Sequence, residues 1–505
     1  LFADNTILNL TINNPSGVNL LGTLNISGVL KAQTGNLNTG GFLTLLSTST
    51  QTALIDGSGN GEVTGNVTMQ RYLPSGFGYK YFSSPFQSAT VAGFGDDMNL
   101  NASFPSFYNY IENKESTGWS VYTDPSGLLN PLNGYCLNFG TDMAFVTADL
   151  TGIVNNHLIG PIALSNNNKT YTLGFNLIGN PYPSPIDWNA ASGWTRNNID
   201  DGIYFFDAGT TDQYTGTYSS YINGISSNGI ASNIIPSMQG FFVHVSDGSY
   251  PVNGSLSINN PARINMLSPV FHKNLLDETR PIIKLQAAFN HENAQADPLV
   301  IYWDYAATAT FDKKMDALKI YNTDINVPNL YALSDDRRRL SIGSFPFPEA
   351  KNEIPLGIKT EKGGSILLRL ISENNLPAEY GIYLKDKASG KIQNLKLNPE
   401  YLLSVGTGLL EERLSIVFSN TDISQEAFGS DSFRAYVMDN TLFVSVLLKD
   451  EQVNVQLTNM AGQILLQKRL NGEGQHQLCP APVTGIYLIT FFTDMGTISK
   501  KIYIQ

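Results

Sequence analysis

Five histidines, two cysteines and the aspartate pairs Asp96-Asp97 and Asp200-Asp201 are the first places to look for chemistry in this chain. His157, His244, His272, His291 and His476 fall in different segments. None has a second histidine four residues away, the spacing that lets one helix face hold zinc, and His291-Glu292 lacks its partner. All five read as surface or strand-face residues. Cys136 and Cys479 are far apart and carry no nucleophile signature, so two isolated thiols, buried or half-buried, are expected. No Gly-x-Ser-x-Gly elbow occurs. The residues therefore suggest no catalytic set, no metal set and a non-enzymatic protein.

A glycosidase needs two carboxyl groups about 5 to 10 Å apart across a cleft. Asp96-Asp97 and Asp200-Asp201 do not supply that by adjacency, because neighbours on a strand point to opposite faces. They read as solvated loop acids, the second pair just ahead of an aromatic strand. Asn99 and Asn101 place further hard oxygen donors near Asp96-Asp97, so calcium is the one cofactor this chemistry would admit. The mixed-sign run from Asp335 to Arg339 reads as a solvated turn. The aromatics of Tyr204-Phe205-Phe206 and Phe241-Phe242 are assigned to core packing. The segment Thr210 to Ser227, rich in Tyr, Ser, Thr and Gly, is the candidate ligand-contact loop, with Tyr214, Tyr218 and Tyr221 as its contact residues.

The elements that must position these residues are strands. The chain has 505 residues, a formal charge of −12 and only 15% charged residues. The acidic balance argues against nucleic-acid binding, which needs a basic surface. The low charge suits an extracellular β-protein surfaced with Asn, Ser, Thr and Gly. No apolar run is long enough for a membrane-spanning helix. The start at Leu1, with no charged region leading into an apolar one, reads as a processed or excerpted chain. Period-two alternation dominates throughout, so the expected fold class is all-β.

Residues 1–70 are short strands separated by Asn/Gly/Ser turns at a spacing of about twenty residues, which predicts a β-helix-like stack. Residues 71–268 contain an apparent duplication. Tyr81 to Ser88, Phe107 to Tyr110 and Leu132 to Leu137 correspond to Asn176 to Ser184, Ile203 to Asp207 and Pro236 to Val243. One pseudo-symmetric β-sandwich is expected there, with Asn180-Pro181-Tyr182-Pro183-Ser184 at a strand end. Residues 269–420 predict a second sandwich, 421–432 a linker, and 433–505 a small C-terminal sandwich.

In that last module Val453, Val455 and Leu457 alternate with Asn454, Gln456 and Thr458, so one face packs inward. Gly462 should turn the chain into Ile464-Leu465-Leu466, and Gly485 should open the next strand. Val453 through Leu465, then Thr484 to Ile489, then Lys500-Lys501-Ile502-Tyr503-Ile504 together resemble the type A C-terminal sorting domains of bacterial type IX secretion. Tyr436-Val437-Met438-Asp439-Asn440 stands where that family opens with a Tyr-Pro-Asn-Pro type entry sequence.

The resemblance implies an exported cell-surface or extracellular protein, adhesin-like or structural, routed across the outer membrane by the type IX translocon and its shuttle proteins. It implies sorting-signal roles for Asn459, Gly462, Gln463, Gly485, Ile486, Tyr487, Lys500 and Lys501. Further expected partners are a surface glycan or protein, or other copies of the chain. The rival readings are a secreted glycan-binding module or carbohydrate-active enzyme, and a subunit of an extracellular filament or sheath.

Overall fold

The computed structural model describes residues 3–210, 212–268, 278–291, 294–424, 432–438, 440–447, 452–480, 482–493 and 496–504. Its regular structure is almost entirely strand, and among the described residues no helix exceeds one short 3₁₀ turn. This all-β outcome follows from sequence alternation that never settles into a helical period. Among the described residues no helix is long and apolar enough to cross a membrane. Most of the expected linker, residues 425–431, lies outside the described residues.

Residues 6–64 circulate through three parallel ladders. Thr6–Ile7, Leu24–Ile26, Leu43–Leu45 and Asn66–Leu73 make the first; Leu10–Asn13, Val29–Thr34 and Leu54–Asp56 the second; Val18–Asn19, Leu37–Asn38 and Val63–Thr64 the third. The register of the first ladder stacks Ile26 on Leu45 and Leu45 on Met69, all fully buried. A strand of two or three residues cannot bury a face alone, and stacking supplies the missing wall. Asn66–Leu73 also pairs antiparallel with Val146–Ile153, which joins this tract to the next layer.

The duplication is visible in the strand order. In the first copy Tyr79–Ser83 pairs with Gly134–Asn138, which pairs with Phe107–Tyr110, which pairs with Trp119–Val121. In the second, Phe175–Gly179 pairs with Gly240–Val245, then Ile199–Ala208, then Gly216–Ile222. Both sheets thus run first, fourth, second, third. The copies meet reciprocally: Gly179 N donates to Leu132 O at 2.9 Å, and Ser83 N donates to Met238 O at 3.2 Å. Leu132 and Met238, equivalent residues, both take positive φ, +66° and +60°. Two residues later Gly134 and Gly240 lie against the opposite copy, and a Cβ there would stand 2.6 Å from Ile178 O and 2.9 Å from Phe82 O. The glycine that opens each fourth strand is required by close backbone approach.

Residues 282–419, where a second sandwich was expected, build a single sheet. A ten-strand path runs from Lys391–Asn394 to Glu400–Val405. Trp303 and Phe418 sit on strands four steps apart in it, about 19 Å along a flat sheet, yet their rings are 4.6 Å apart. The sheet therefore folds over on itself. Its ends meet as well, where Gln393 Nε2 donates to Glu400 O at 2.7 Å and Tyr401 hydroxyl to Asp386 at 2.8 Å. One apolar core runs from Tyr79, Tyr81, Phe175 and Phe242 into Ile283, Leu299 and Trp303. Leu318 N to Tyr204 Oη at 2.8 Å and the Ser220–Ser341 hydroxyl pair at 2.8 Å cross the same seam.

The C-terminal module packs Phe433–Met438, Thr441–Val446 and Gly474–Pro480 on a sheet of Ile464–Asn471, Gln452–Asn459, Gly485–Thr493 and Gly496–Ile504. Val453, Val455 and Leu457 point inward as their alternation requires, and the Phe433 and Phe491 rings stack at 4.3 Å between the layers.

Candidate functional site

Asp200 and Asp201 belong to the strand Ile199–Ala208, not to a loop before it, and Asp200 is buried. His244, read as a surface or strand-face residue, is buried completely. Its Nδ1 lies 2.6 Å from Asp200 Oδ2, while Asp200 Oδ1 accepts from Ser246 Oγ at 2.6 Å. Serine, histidine and aspartate are thus assembled, but the acid is the hub and the imidazole does not touch the hydroxyl. A nucleophile requires serine on the imidazole and the acid behind it. The cluster instead faces a module seam: His244 Nε2 is 3.9 Å from Asp247, which pairs with Arg338 of the following sheet.

The other histidines are dispersed. His157 Nε2 meets Glu62 at 2.6 Å, His476 Nε2 meets Gly472 O at 3.0 Å, and His272 lies outside the described residues. Cys136 is buried, Cys479 half-buried, and both are free, as read from the sequence. In the run Asp335 to Arg339 the arginines are engaged, Arg338 with Asp247 and Arg339 with Glu411 at 2.7 Å.

Asp96 and Asp97 are joined by Asp149, from the neighbouring strand, with carboxylate oxygens of all three within 4.8 Å of one another. These three could hold a hard cation. Asn99 has another role, because its Oδ1 accepts from Asn101 N at 3.0 Å in a local turn. Burial and the neighbouring acids push the Asp97 carboxyl up to about 6, although the Asp149 N–H at 2.9 Å opposes the shift. Asp149 was not legible as a member, since it joins through the packing of a strand some fifty residues on in sequence against this turn.

The tyrosines chosen as contact residues do not form one loop. Tyr214 is exposed, with its ring 4.7 Å from Phe104. Tyr218 lies on a strand and shares a 2.8 Å hydroxyl contact with Tyr81. Tyr221 is a correction: it is buried in the core of the second copy, and its hydroxyl accepts from Asn189 Nδ2 at 2.8 Å. Strand alternation carries it inward.

The Asn180 to Ser184 corner is a buried hub. Asn180 Nδ2 donates to Ser184 O, Ile235 O and Pro236 O at 2.8, 3.1 and 3.0 Å, and Oδ1 accepts from Tyr182 N at 2.9 Å. Arg263 covers the Tyr182 ring at 4.9 Å and donates to Ser184 Oγ, while Ile55 N donates to Pro183 O at 2.8 Å. The corner thus ties the N-terminal ladders to the sandwich.

In the C-terminal module Asn459 organises the hairpin. Its Oδ1 accepts from Ala461 N and Gln463 N, each at 3.0 Å, and its Nδ2 donates to Gln463 Oε1 at 2.9 Å. Gly462 takes φ +84°, which this turn demands. Gly485 opens its strand. Tyr487 is buried, with its hydroxyl donating to Val483 O at 2.6 Å, and Lys500 Nζ reaches Phe433 O at 2.5 Å. Ile486, Leu488, Phe492 and Tyr503 are exposed, and Lys501 is exposed beside Leu488.

Residues 438–505 match the family described as Secretion system C-terminal sorting domain. The module therefore marks cargo of type IX secretion, engaging that machinery and exported across the outer membrane to the cell surface or extracellular space. No curated protein matches the chain. Among solved structures, a two-domain fibronectin type III segment of chicken tenascin is 12% identical, covering 29% of this chain and 95% of that one at TM-score 0.14. Ruminococcus gnavus β-glucuronidase is 14% identical, covering 28% and 35% at TM-score 0.14. The BSP domain of a biofilm associated protein is 9% identical, covering 87% and 92% at TM-score 0.13. At these scores the likenesses carry no argument. Residues 3–418 match as one unit, so the chain belongs to the family described as Domain of unknown function (DUF8693), with a secretion sorting domain following it.

Proposed function

We propose that the chain is a non-enzymatic, adhesin-like surface protein whose body, residues 3–418, displays broad β-surfaces outside the cell. The carrying observation is the sorting domain at residues 438–505 placed behind a body of continuous β-layers. The buried polar groups of that body brace its strands and corners, as Asp200, His244 and Asn180 do, and the three parallel ladders support a β-helix-like reading of its N-terminal tract. A glycan or protein ligand would meet this body, and the shuttle proteins of the pathway would meet the tail.

Within the tail, the geometry supports dividing the signal residues by role. Asn459, Gly462, Gln463 and Gly485 shape turns and strand entry, while Tyr487 and Lys500 brace the module from inside. Ile486 and Lys501 lie on the exposed face and are the ones a receptor would touch. Removing Thr484 to Gln505 is expected to leave the protein in the periplasm. Normal surface display of that truncation would overturn the routing assignment.

A further inference from the structure

A cleft of about 210 Å³ opens between the two copies of the duplicated sheet. Arg71 lines it from the strand Asn66–Leu73, Ser75 from the turn that follows, Lys80 from the first copy, and Phe206, Asp207 and Gln239 from the second. The half-buried side chain of Arg71 makes no hydrogen bond or ion pair with any described residue. Burial pushes its pKa down to about 10, and no carboxylate offsets that effect. The acid in the cleft, Asp207, is coupled to Lys80 instead, and Lys80 Nζ also donates to Phe77 O at 2.9 Å.

A half-buried guanidinium that lines a cleft and has no counter-charge within it is open to an anionic ligand. Its planar fork matches a carboxylate through two parallel N–H···O bonds. The other lining groups are those of a hydroxyl-bearing ring. Gln239 spends its amide protons on Tyr81 O and Gly240 O at 3.2 and 2.8 Å, leaving Oε1 as an acceptor. Ser75 Oγ accepts from Phe77 N at 3.1 Å and retains its proton to donate. Phe206, half-buried and stacked on Tyr81 at 5.1 Å, supplies an apolar wall. The volume falls below the ~300 Å³ at which drug-sized pockets begin, so it admits one small ring.

We propose that this cleft binds a single acidic sugar unit of the hexuronate class, its carboxylate on the Arg71 guanidinium, its hydroxyls on Gln239 and Ser75, and its ring against Phe206. The assignment names a ligand class for the display body and rests on that reading only for where the ligand is met. Binding to the purified full chain therefore tests it independently of export.

Titration with D-glucuronate, D-glucose and acetate, followed by calorimetry and saturation-transfer NMR, separates acidic ring, neutral ring and bare carboxylate. D-glucuronate should bind saturably, more tightly than D-glucose by about tenfold to a hundredfold, the span of a charge-assisted hydrogen bond, and more tightly than acetate through its ring contacts. Arg71→Gln should remove the preference over D-glucose, with Arg71→Lys intermediate. Thermal melting of both variants without ligand should show no loss of stability, because Arg71 has no protein partner to lose. Equal binding of acetate or D-glucose, no binding of D-glucuronate, or Arg71→Gln binding unchanged would overturn the proposal.

Discussion

The reciprocal packing of Gly134 and Gly240 gives the sharpest prediction about the fold. An alanine Cβ at position 134 would stand 2.6 Å from the Ile178 carbonyl oxygen and the same distance from Leu177 Cγ; at 240 it would stand 2.9 Å from the Phe82 carbonyl oxygen. Ordinary contact begins near 3.4 Å, so the backbone of the opposing copy must retreat by several tenths of an ångström. Overpacking of this kind costs about 1–3 kcal/mol, against roughly 0.5–1 kcal/mol gained by replacing glycine in a strand. Net losses of about 1–2 kcal/mol are expected, larger at 134 than at 240. Spread over a cooperative unit of this size, that lowers Tm by only about 1–2 °C, which differential scanning calorimetry against Gly22→Ala resolves, since nothing lies within 4 Å of a Cβ at Gly22. If Gly134→Ala and Gly240→Ala melt with Gly22→Ala, the close approach of the two copies is refuted.

Three further predictions concern buried polar groups. Asn180→Ala strips partners from three carbonyls and one N–H in the corner and should cost at least about 2–4 kcal/mol in denaturant unfolding, with Asn180→Gln failing to restore it. Burial pushes the Asp386 carboxyl up, but Arg413 at 2.7 Å from each oxygen and Tyr401 overcome it and hold it below the ordinary value. Its stabilising contribution is thus present above the unfolded carboxylate range and lost as pH falls through the folded value. Arg413→Ala should cost about 3–5 kcal/mol near neutral pH, with the deficit shrinking in acid as Asp386 takes up a proton. Asp97 has the opposite sign, because its carboxyl is raised to about 6. The native state therefore binds the proton more tightly, and stability falls as pH rises from about 4 to 6. Asp97→Asn should raise neutral-pH stability by on the order of 1 kcal/mol after solvent screening and do nothing at pH 4, as read by melting across pH.

Period-two alternation and turn residues made the strands legible, and the repeated order of aromatic strands exposed the duplication before any pairing was visible. The inward face of Val453, Val455 and Leu457 and the turn at Gly462 followed from local chemistry alone. Other features depend on packing between distant segments. Asp149 reaches Asp97 because Val146–Ile153 packs against the turn at Val91–Phe94, which Asp97 follows. His244 is buried because its strand is central in the sheet, and the same centrality carries Tyr221 inward. Whether residues 282–419 make two sheets or one folded sheet depends on ladder connectivity, and local alternation is identical in both.

Residues 3–418 should be displayed outside the outer membrane under the direction of the tail. Protease treatment of intact cells producing the full chain, with mass spectrometry of released and cell-retained fractions, tests it most directly. Body fragments should be released from intact cells producing the full chain and should remain protected when residues 433–505 are deleted. Body peptides found only after lysis in both strains would contradict it.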